Sequence, residues 1–317
     1  HWPEVIVTYD DADKILTHIR THYDKVKKSG WSGYVIDAAI VTHPDDDHIG
    51  GFVHILEDLQ AGKLYDICFN CFWVNDPTKH EFVPNDVQRI QTQKSLDARL
   101  KCVYNYKEDS KKNLLDLIDS AGIARTEVFA GDYLDEPQIT IISPTRDFYE
   151  SLLPKFRNKL NFHWALEALE ENSYSSKDDI SDETTLSKTL DDATDDTSAH
   201  NQSSIVFLLE TDEKQKFLFT GDAGRDAFNH VPQTLLGKVK DVKWMKVPHH
   251  GSKHNLDSTI IKHVNPEIAY ISTEKQGKYL NRSTVFALKK NGTKVYSTSL
   301  NRSTIRHGAI KEREGWT

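Results

Sequence analysis

His43, Asp45, Asp46, Asp47 and His48 place two imidazoles and three carboxylates within six consecutive positions, in the run Thr42-His43-Pro44-Asp45-Asp46-Asp47-His48-Ile49-Gly50-Gly51. As bare groups the carboxylates would repel one another, and a bound cation removes that repulsion. The competing reading is an acidic turn at a helix N-terminus, where Asp is a favoured cap. Capping accounts for one Asp and leaves the flanking histidines unexplained. A second ligand-rich run, Trp244-Met245-Lys246-Val247-Pro248-His249-His250-Gly251-Ser252, sets adjacent histidines between Pro and Gly, as in a turn that points side chains into a cleft. Asp222 follows an apolar run in Phe217-Leu218-Phe219-Thr220-Gly221-Asp222-Ala223. Imidazole and carboxylate donors suit Zn²⁺, and a carboxylate-rich set also accommodates Mn²⁺.

These residues need rigid elements beneath them. Tyr34 to Val41 is apolar and β-branched, which reads as a buried strand over 35–41 ending at His43. The Pro-Asp-Asp-Asp stretch is then expected as a tight loop, and Gly50-Gly51 as a close turn into a helix over 51–59. Further strands are expected at 64–74, 139–143, 204–210, 216–220, 242–247, 268–272 and 294–298. Helices are expected at 85–100, 112–121, 147–171, 255–263 and 284–290. The strands at 204–210 and 216–220 form a hairpin around Thr211-Asp212-Glu213-Lys214. Strands alternating with helices predict an α/β fold, and no internal repeat is visible. Residues 1–317 are read as a single domain, with 147–199 as a helical and acidic insertion within it.

Three elements in order carry a resemblance. His43-x-Asp45-x-Asp47-His48-x-Gly50-Gly51 resembles the metal-binding signature of the metallo-β-lactamase superfamily. It is the variant with Asp in place of the middle histidine, similar to the hydrolase domain of ComEC-type DNA-uptake proteins and their free-standing relatives. Phe217 to Ala223 resembles the superfamily's strand-Thr-Gly-Asp element, and Trp244 to Ser252 the strand-His-His-Gly-Ser element of that branch. The match runs from about Val35 to the C-terminus. It implies a four-layer αβ/βα sandwich holding two divalent ions, Zn²⁺ or Mn²⁺. His43 and Asp45 would hold one ion, Asp47 and His48 the other, and Asp222 would bridge them. A further ligand would come from His249 or His250, and another from His200 or Asn201 beside the strand that pairs with the Thr-Gly-Asp strand, unless that loop only feeds the strand and neither binds. Asp47, Asp222 and His250 are the residues on which the reaction is expected to turn. One departure is plain: Lys278-Tyr279-Leu280-Asn281-Arg282 stands where relatives place His-Pro near a Tyr, and His307 is the candidate substitute. Relatives also carry a first β-hairpin; either Val5-Ile6-Val7-Thr8-Tyr9 is its remnant, or the hairpin is missing from this sequence.

The chemistry implied is metal-assisted hydrolysis, since two ions bridged by Asp222 would lower the pKa of a shared water toward ~7. No Gly-x-Ser-x-Gly elbow is present. The substrate expected is a phosphodiester, in nucleic acid or a nucleotide derivative, with Asn201, Ser252, Lys278, Arg282 and His307 as candidates to contact it. The alternatives are a small-molecule ester or lactone hydrolase, or a weakly active regulatory subunit of a defence system that docks a protein partner through its acidic insertion. A formal net charge of -8 disfavours phosphate contacts. That charge is uneven, however: residues 167–196 are densely acidic, whereas the chain turns basic from Lys275 through Arg282, Arg302, Arg306 and Arg313. No apolar run approaches the ~18–20 residues that span a bilayer, so no membrane partner is expected. The first residues do not read as a signal peptide. Three cysteines without a framework point to a reducing, cytoplasmic setting. Cys68 and Cys71, in a strand-like stretch with no second pair, are read as buried strand cysteines.

Overall fold

In a computed structural model, residues 12–28, 30–80, 96–107, 109–156, 190–273 and 280–298 are described. The fold is mixed α/β and divides into two compact units. The first comprises His1–Val128 with Glu150–Leu169, the second Phe129–Tyr149 with Glu170–Thr317.

The first unit opens with helix α1 (Ala12–His22), followed by an antiparallel hairpin of β1 (Val26–Lys28) and β2 (Trp31–Ile36). Strand β3 (Ala39–Ile40) leads into helix α2 (Asp46–Gln60). Strands β4 (Ile67–Phe69) and β5 (Cys71–Trp73) come next, then a small hairpin of β6 (Asn105–Tyr106) and β7 (Asp109–Asn113), helix α3 (Leu114–Ser120) and β8 (Ala124–Thr126). Two three-stranded sheets result, in the orders β1-β2-β4 and β3-β5-β8. The strand expected over 35–41 is therefore broken between Ile36 and Ala39, and the one over 64–74 breaks at Asn70. The two halves of each go to different sheets, with β2 pairing β4 and β3 pairing β5, both in parallel. Asn70 marks the switch: its amide donates to the Asp37 carboxylate at 2.8 Å, tying the two breaks together. Helix α2 buries Ile49, Val53 and Leu56, one helical face at i, i+4 and i+7, and packs against α3. Each such side chain contributes about 1.5–3 kcal/mol. Replacing Val53 by Asp would put an unpaired charge in that seam and break it.

The second unit is built on one seven-stranded sheet of order β15-β14-β13-β12-β11-β10-β9. Its strands are β9 (Tyr133–Leu134), β10 (Gln138–Ser143), β11 (Val206–Glu210), β12 (Lys216–Phe219), β13 (Trp244–Lys246), β14 (Ile268–Ile271) and β15 (Lys294–Ser297). Strands β9 to β12 pair antiparallel and β12 to β15 parallel. The predicted hairpin is present, with Phe207 and Phe219 stacked across it at 4.5 Å between ring centroids. The parallel pairs need crossovers. Short helices α6 (Arg225–Asn229) and α7 (Gln233–Leu236), then α8 (Ser258–Val264) and α9 (Arg282–Lys290), supply them, while α5 (Ala199–Gln202) leads into β11. Helix α4 (Arg146–Leu152) follows β10 and is the first part of the expected helix over 147–171. Most of that helix, of the one over 85–100 and of the acidic stretch lies outside the described residues, as do Val5 to Tyr9.

Two sequence expectations are corrected here. Gly50 and Gly51 do not form a turn, because α2 already starts at Asp46 and both glycines lie buried inside it. Cys68 lies on a strand but is exposed, and Cys71 is half-buried. The alternation of β4, with Ile67 and Phe69 buried and Cys68 outward, leaves that cysteine on the open face. All three cysteines are free.

Candidate metal centre

In the first unit the site residues gather at the carboxyl end of β3 and the start of α2. Asp45 occupies the N-cap position in extended conformation, yet its carboxylate makes no capping hydrogen bond. The carboxylate stands instead 3.7 Å from His43 Nε2. Asp46 and Asp47 fill the first helical turn, where negative charge suits the helix dipole. Asp47 Oδ2 lies 3.6 Å from His48 Nε2. The acidic-cap reading thus accounts for the backbone and not for where these carboxylates point. His43 and His48 are both buried, with ring centroids 4.1 Å apart. Behind them, Thr42 Oγ1 sits 3.1 Å from His43 Nδ1 and 3.3 Å from His48 Nδ1. One hydroxyl oxygen can accept from both Nδ1–H groups, which leaves both Nε2 lone pairs to face the carboxylates.

In the second unit Asp222 follows β12 through Gly221, whose φ of +53° forms the turn after the strand. His250 Nε2 lies 3.6 Å from Asp222 Oδ2. Its Nδ1–H donates to the Ser272 carbonyl at 2.9 Å, which fixes the tautomer in the manner of a metal-ligating histidine. His249 behaves differently. Its Nδ1 faces the Asp196 carboxylate at 3.2 Å and the Asn255 side-chain oxygen at 3.1 Å. Of the two adjacent histidines, the structure pairs His250 with Asp222 and commits His249 to Asp196. His249, His250 and Gly251 all have positive φ, at 44°, 53° and 87°. Left-handed backbone at two non-glycine residues costs about 1–3 kcal/mol each and collects at functional sites. A side chain at Gly251 would meet Leu280 and Ile271 at 3.1 and 3.2 Å, so this position also needs its lack of Cβ.

A dense polar frame holds this turn. Asp196 accepts from Asn201 Nδ2 at 2.8 Å, Asn255 Nδ2 at 2.9 Å and Ser198 N at 2.8 Å. Burial acts to raise the Asp196 pKa, and the hydrogen bonds from His249, Asn201 and Ser198 outweigh it, holding the carboxyl below its ordinary value. Arg225, buried beside it, donates to the carbonyls of Leu190, Ala193, Lys253 and Leu256 and pairs with Asp195 at 3.0 Å. Residues 190–196, the end of the acidic stretch, are thereby strapped to the turn that follows Ser252.

The remaining candidates separate clearly. His200 is buried on α5, and its neighbour Asn201 reaches the Asp196 carboxylate. Ser252 accepts from His254 N through its hydroxyl at 3.2 Å, a turn-forming bond. Arg282 opens α9, whose Asn281 cap accepts from Ser283 N. Lys278 and His307 lie outside the described residues, as do Lys275, Arg302, Arg306 and Arg313. His254 faces the Thr194 carbonyl at 2.7 Å and so belongs to the strap. Sequence reasoning missed Asp196, Asn255, Arg225 and Lys246, whose roles depend on chain segments far apart in sequence. It also missed His80, buried between Glu127 at 2.9 Å and Glu150 at 2.8 Å. Only the Asn-Asp-Pro context of the loop before His80 could have drawn attention to it.

The donor chemistry fits a divalent cation. Two ligands on a tetrahedral ion, each about 2.0–2.2 Å from it, stand about 3.4 Å apart. Three imidazole–carboxylate pairs here span 3.6 or 3.7 Å, longer than a hydrogen bond and close to that separation. No protein-family model matches the chain, and no curated protein matches it in sequence. Among the described residues, no helix is long and apolar enough to cross a membrane.

Proposed function

We propose that this protein is a metal-dependent hydrolase of metallo-β-lactamase type, with a phosphodiester in nucleic acid or a nucleotide derivative as substrate. The observation that supports it best is the repeated pairing of an imidazole Nε2 with a carboxylate oxygen while the Nδ1 of the same ring is held from behind. The proposed ligands are His43, Asp45, Asp47, His48, Asp222 and His250, for two ions of Zn²⁺ or Mn²⁺. Bound divalent ions supply Lewis acidity toward a phosphoryl oxygen and a nucleophilic water at neutral pH. The chain's own residues do the orienting. Thr42 holds the His43 and His48 rings, and the Ser272 carbonyl holds His250. The Asp196 carboxylate and the Asn255 side-chain oxygen hold the His249 ring through its Nδ1. The reading carries with it a four-layer αβ/βα sandwich and a cytoplasmic setting.

The experiment is turnover of bis-p-nitrophenyl phosphate, p-nitrophenyl acetate and a simple lactone by protein stripped of metal and reloaded with Zn²⁺ or Mn²⁺. Metal-dependent cleavage of the phosphodiester with little on the other two supports the proposal. Preference for ester or lactone moves the substrate to small molecules, and no turnover of any leaves a docking role for the acidic stretch.

A further inference from the structure

Lys246 is a buried cation in a place where nothing in the hydrolytic chemistry calls for one. It ends β13 and is 3% exposed. Lysine is almost never buried this far unless paired, because the ammonium loses its hydration. Its Nζ donates to the Gly221 carbonyl at 2.7 Å and to Asp222 Oδ1 at 3.3 Å. Backbone bonds fix the register of this contact. Thr220 Oγ1 donates to the Lys246 carbonyl at 2.8 Å, and β12 pairs β13 in parallel with Leu218 opposite Met245. The Asp222 backbone is held as firmly, its N–H donating to Ser204 Oγ at 3.1 Å and its carbonyl accepting from Asn255 Nδ2 at 3.0 Å. The two carboxylate oxygens of Asp222 are thus divided, Oδ1 toward the ammonium and Oδ2 toward His250 Nε2.

We propose that Lys246 is a positioning residue that sets how Asp222 binds metal: by holding Oδ1, it makes the carboxylate offer Oδ2 alone, beside His250 Nε2. This rests on the reading of Asp222 and His250 as metal ligands. Chelation through both oxygens would require Oδ1 to leave the ammonium and would strand a buried charge. The ammonium would also repel a divalent ion held by Asp222, so Lys246 would restrain affinity while it fixes geometry.

The test loads metal-stripped wild type, Lys246→Met, Lys246→Gln and Lys246→Arg with Zn²⁺. Affinity is read by calorimetry and the zinc ligand shell by X-ray absorption. Wild type and Lys246→Arg should show the same shell. Lys246→Met, or Lys246→Gln if the Met variant does not fold, should gain one oxygen in the shell and bind Zn²⁺ at least tenfold tighter. An unchanged shell with equal or weaker binding in the neutral variants would overturn the role of Lys246. Failure of the wild type itself to bind Zn²⁺ would instead remove the metal-ligand reading on which it rests.

Discussion

The two segments that carry the proposed ligands are built in different ways. In the His43–His48 segment a strand end, a helix start and the Thr42 hydroxyl place the two imidazoles, and Asp46 Oδ1 accepts from Lys107 N at 3.3 Å. The turn at His249–Gly251 is held from a distance, by Asp196, Asn255, Ser272 and an arginine that gathers four carbonyls from two chain segments. A helix terminus directs its first side chains through regular geometry. A left-handed turn with two histidines at positive φ does not hold itself and needs outside partners. Residues of like chemistry can thus depend on very different amounts of surrounding structure.

The largest expected effect separates the two segments by stability. Arg225→Met takes the donor from four carbonyls, two of them in buried bonds, and breaks the pair with Asp195, and denaturant unfolding should show a loss of about 3–5 kcal/mol. The strap over 190–196 should become the first site of limited proteolysis in that variant. If the turn holds itself, the loss will stay within about 1 kcal/mol, as for an ordinary surface change.

A smaller effect sharpens the local side of the comparison. Thr42→Val keeps the shape of the side chain and removes the hydroxyl behind both imidazoles. Losing such an outer partner should weaken metal binding about tenfold, with little change in unfolding midpoint. A metal titration that leaves affinity unchanged would show that the helix start alone orients the rings.

The smallest effects come from pH. Asp196 is held below its ordinary pKa of 3.8, so its contribution is present above that value and fades as pH falls through the lower folded value. His80 runs the other way. Hydrogen bonds from the ring to Glu127 and Glu150 raise its pKa against the effect of burial, so its contribution is full below 6.5 and fades as pH rises through the higher folded value. Unfolding curves across pH should therefore differ between Asp196→Asn, which flattens the acid limb, and His80→Gln, which flattens the neutral one. Identical pH profiles for both variants and wild type would show that neither pair contributes to stability.

How much was legible in the sequence follows the same division. Around His43–His48 the strand before the segment and the helix after it could be read, because a β-branched run ends there and an apolar periodic run follows. Even there the helix start was misplaced, since two glycines suggested a turn that packing turned into buried helix. The strand breaks at 37–38 and Asn70 were hidden because each half remains apolar, and only sheet assignment distinguishes them. At the second segment the sequence named His249 and His250 and left their roles open. What separates them is a carboxylate 53 positions away on one and a carbonyl 22 positions away on the other. Lys246 reads as an ordinary strand residue until its depth and its contact with Asp222 are known.

Metal content measured directly on purified protein tests the central claim that both segments are ligand sets. Elemental analysis should find bound zinc or manganese in the wild type, a large loss in His48→Ala and again in His250→Ala, and no loss in His254→Ala, whose ring faces the Thr194 carbonyl. Unchanged metal in both the His48 and His250 variants, or a wild type that holds no divalent metal when supplied with it, would contradict the account.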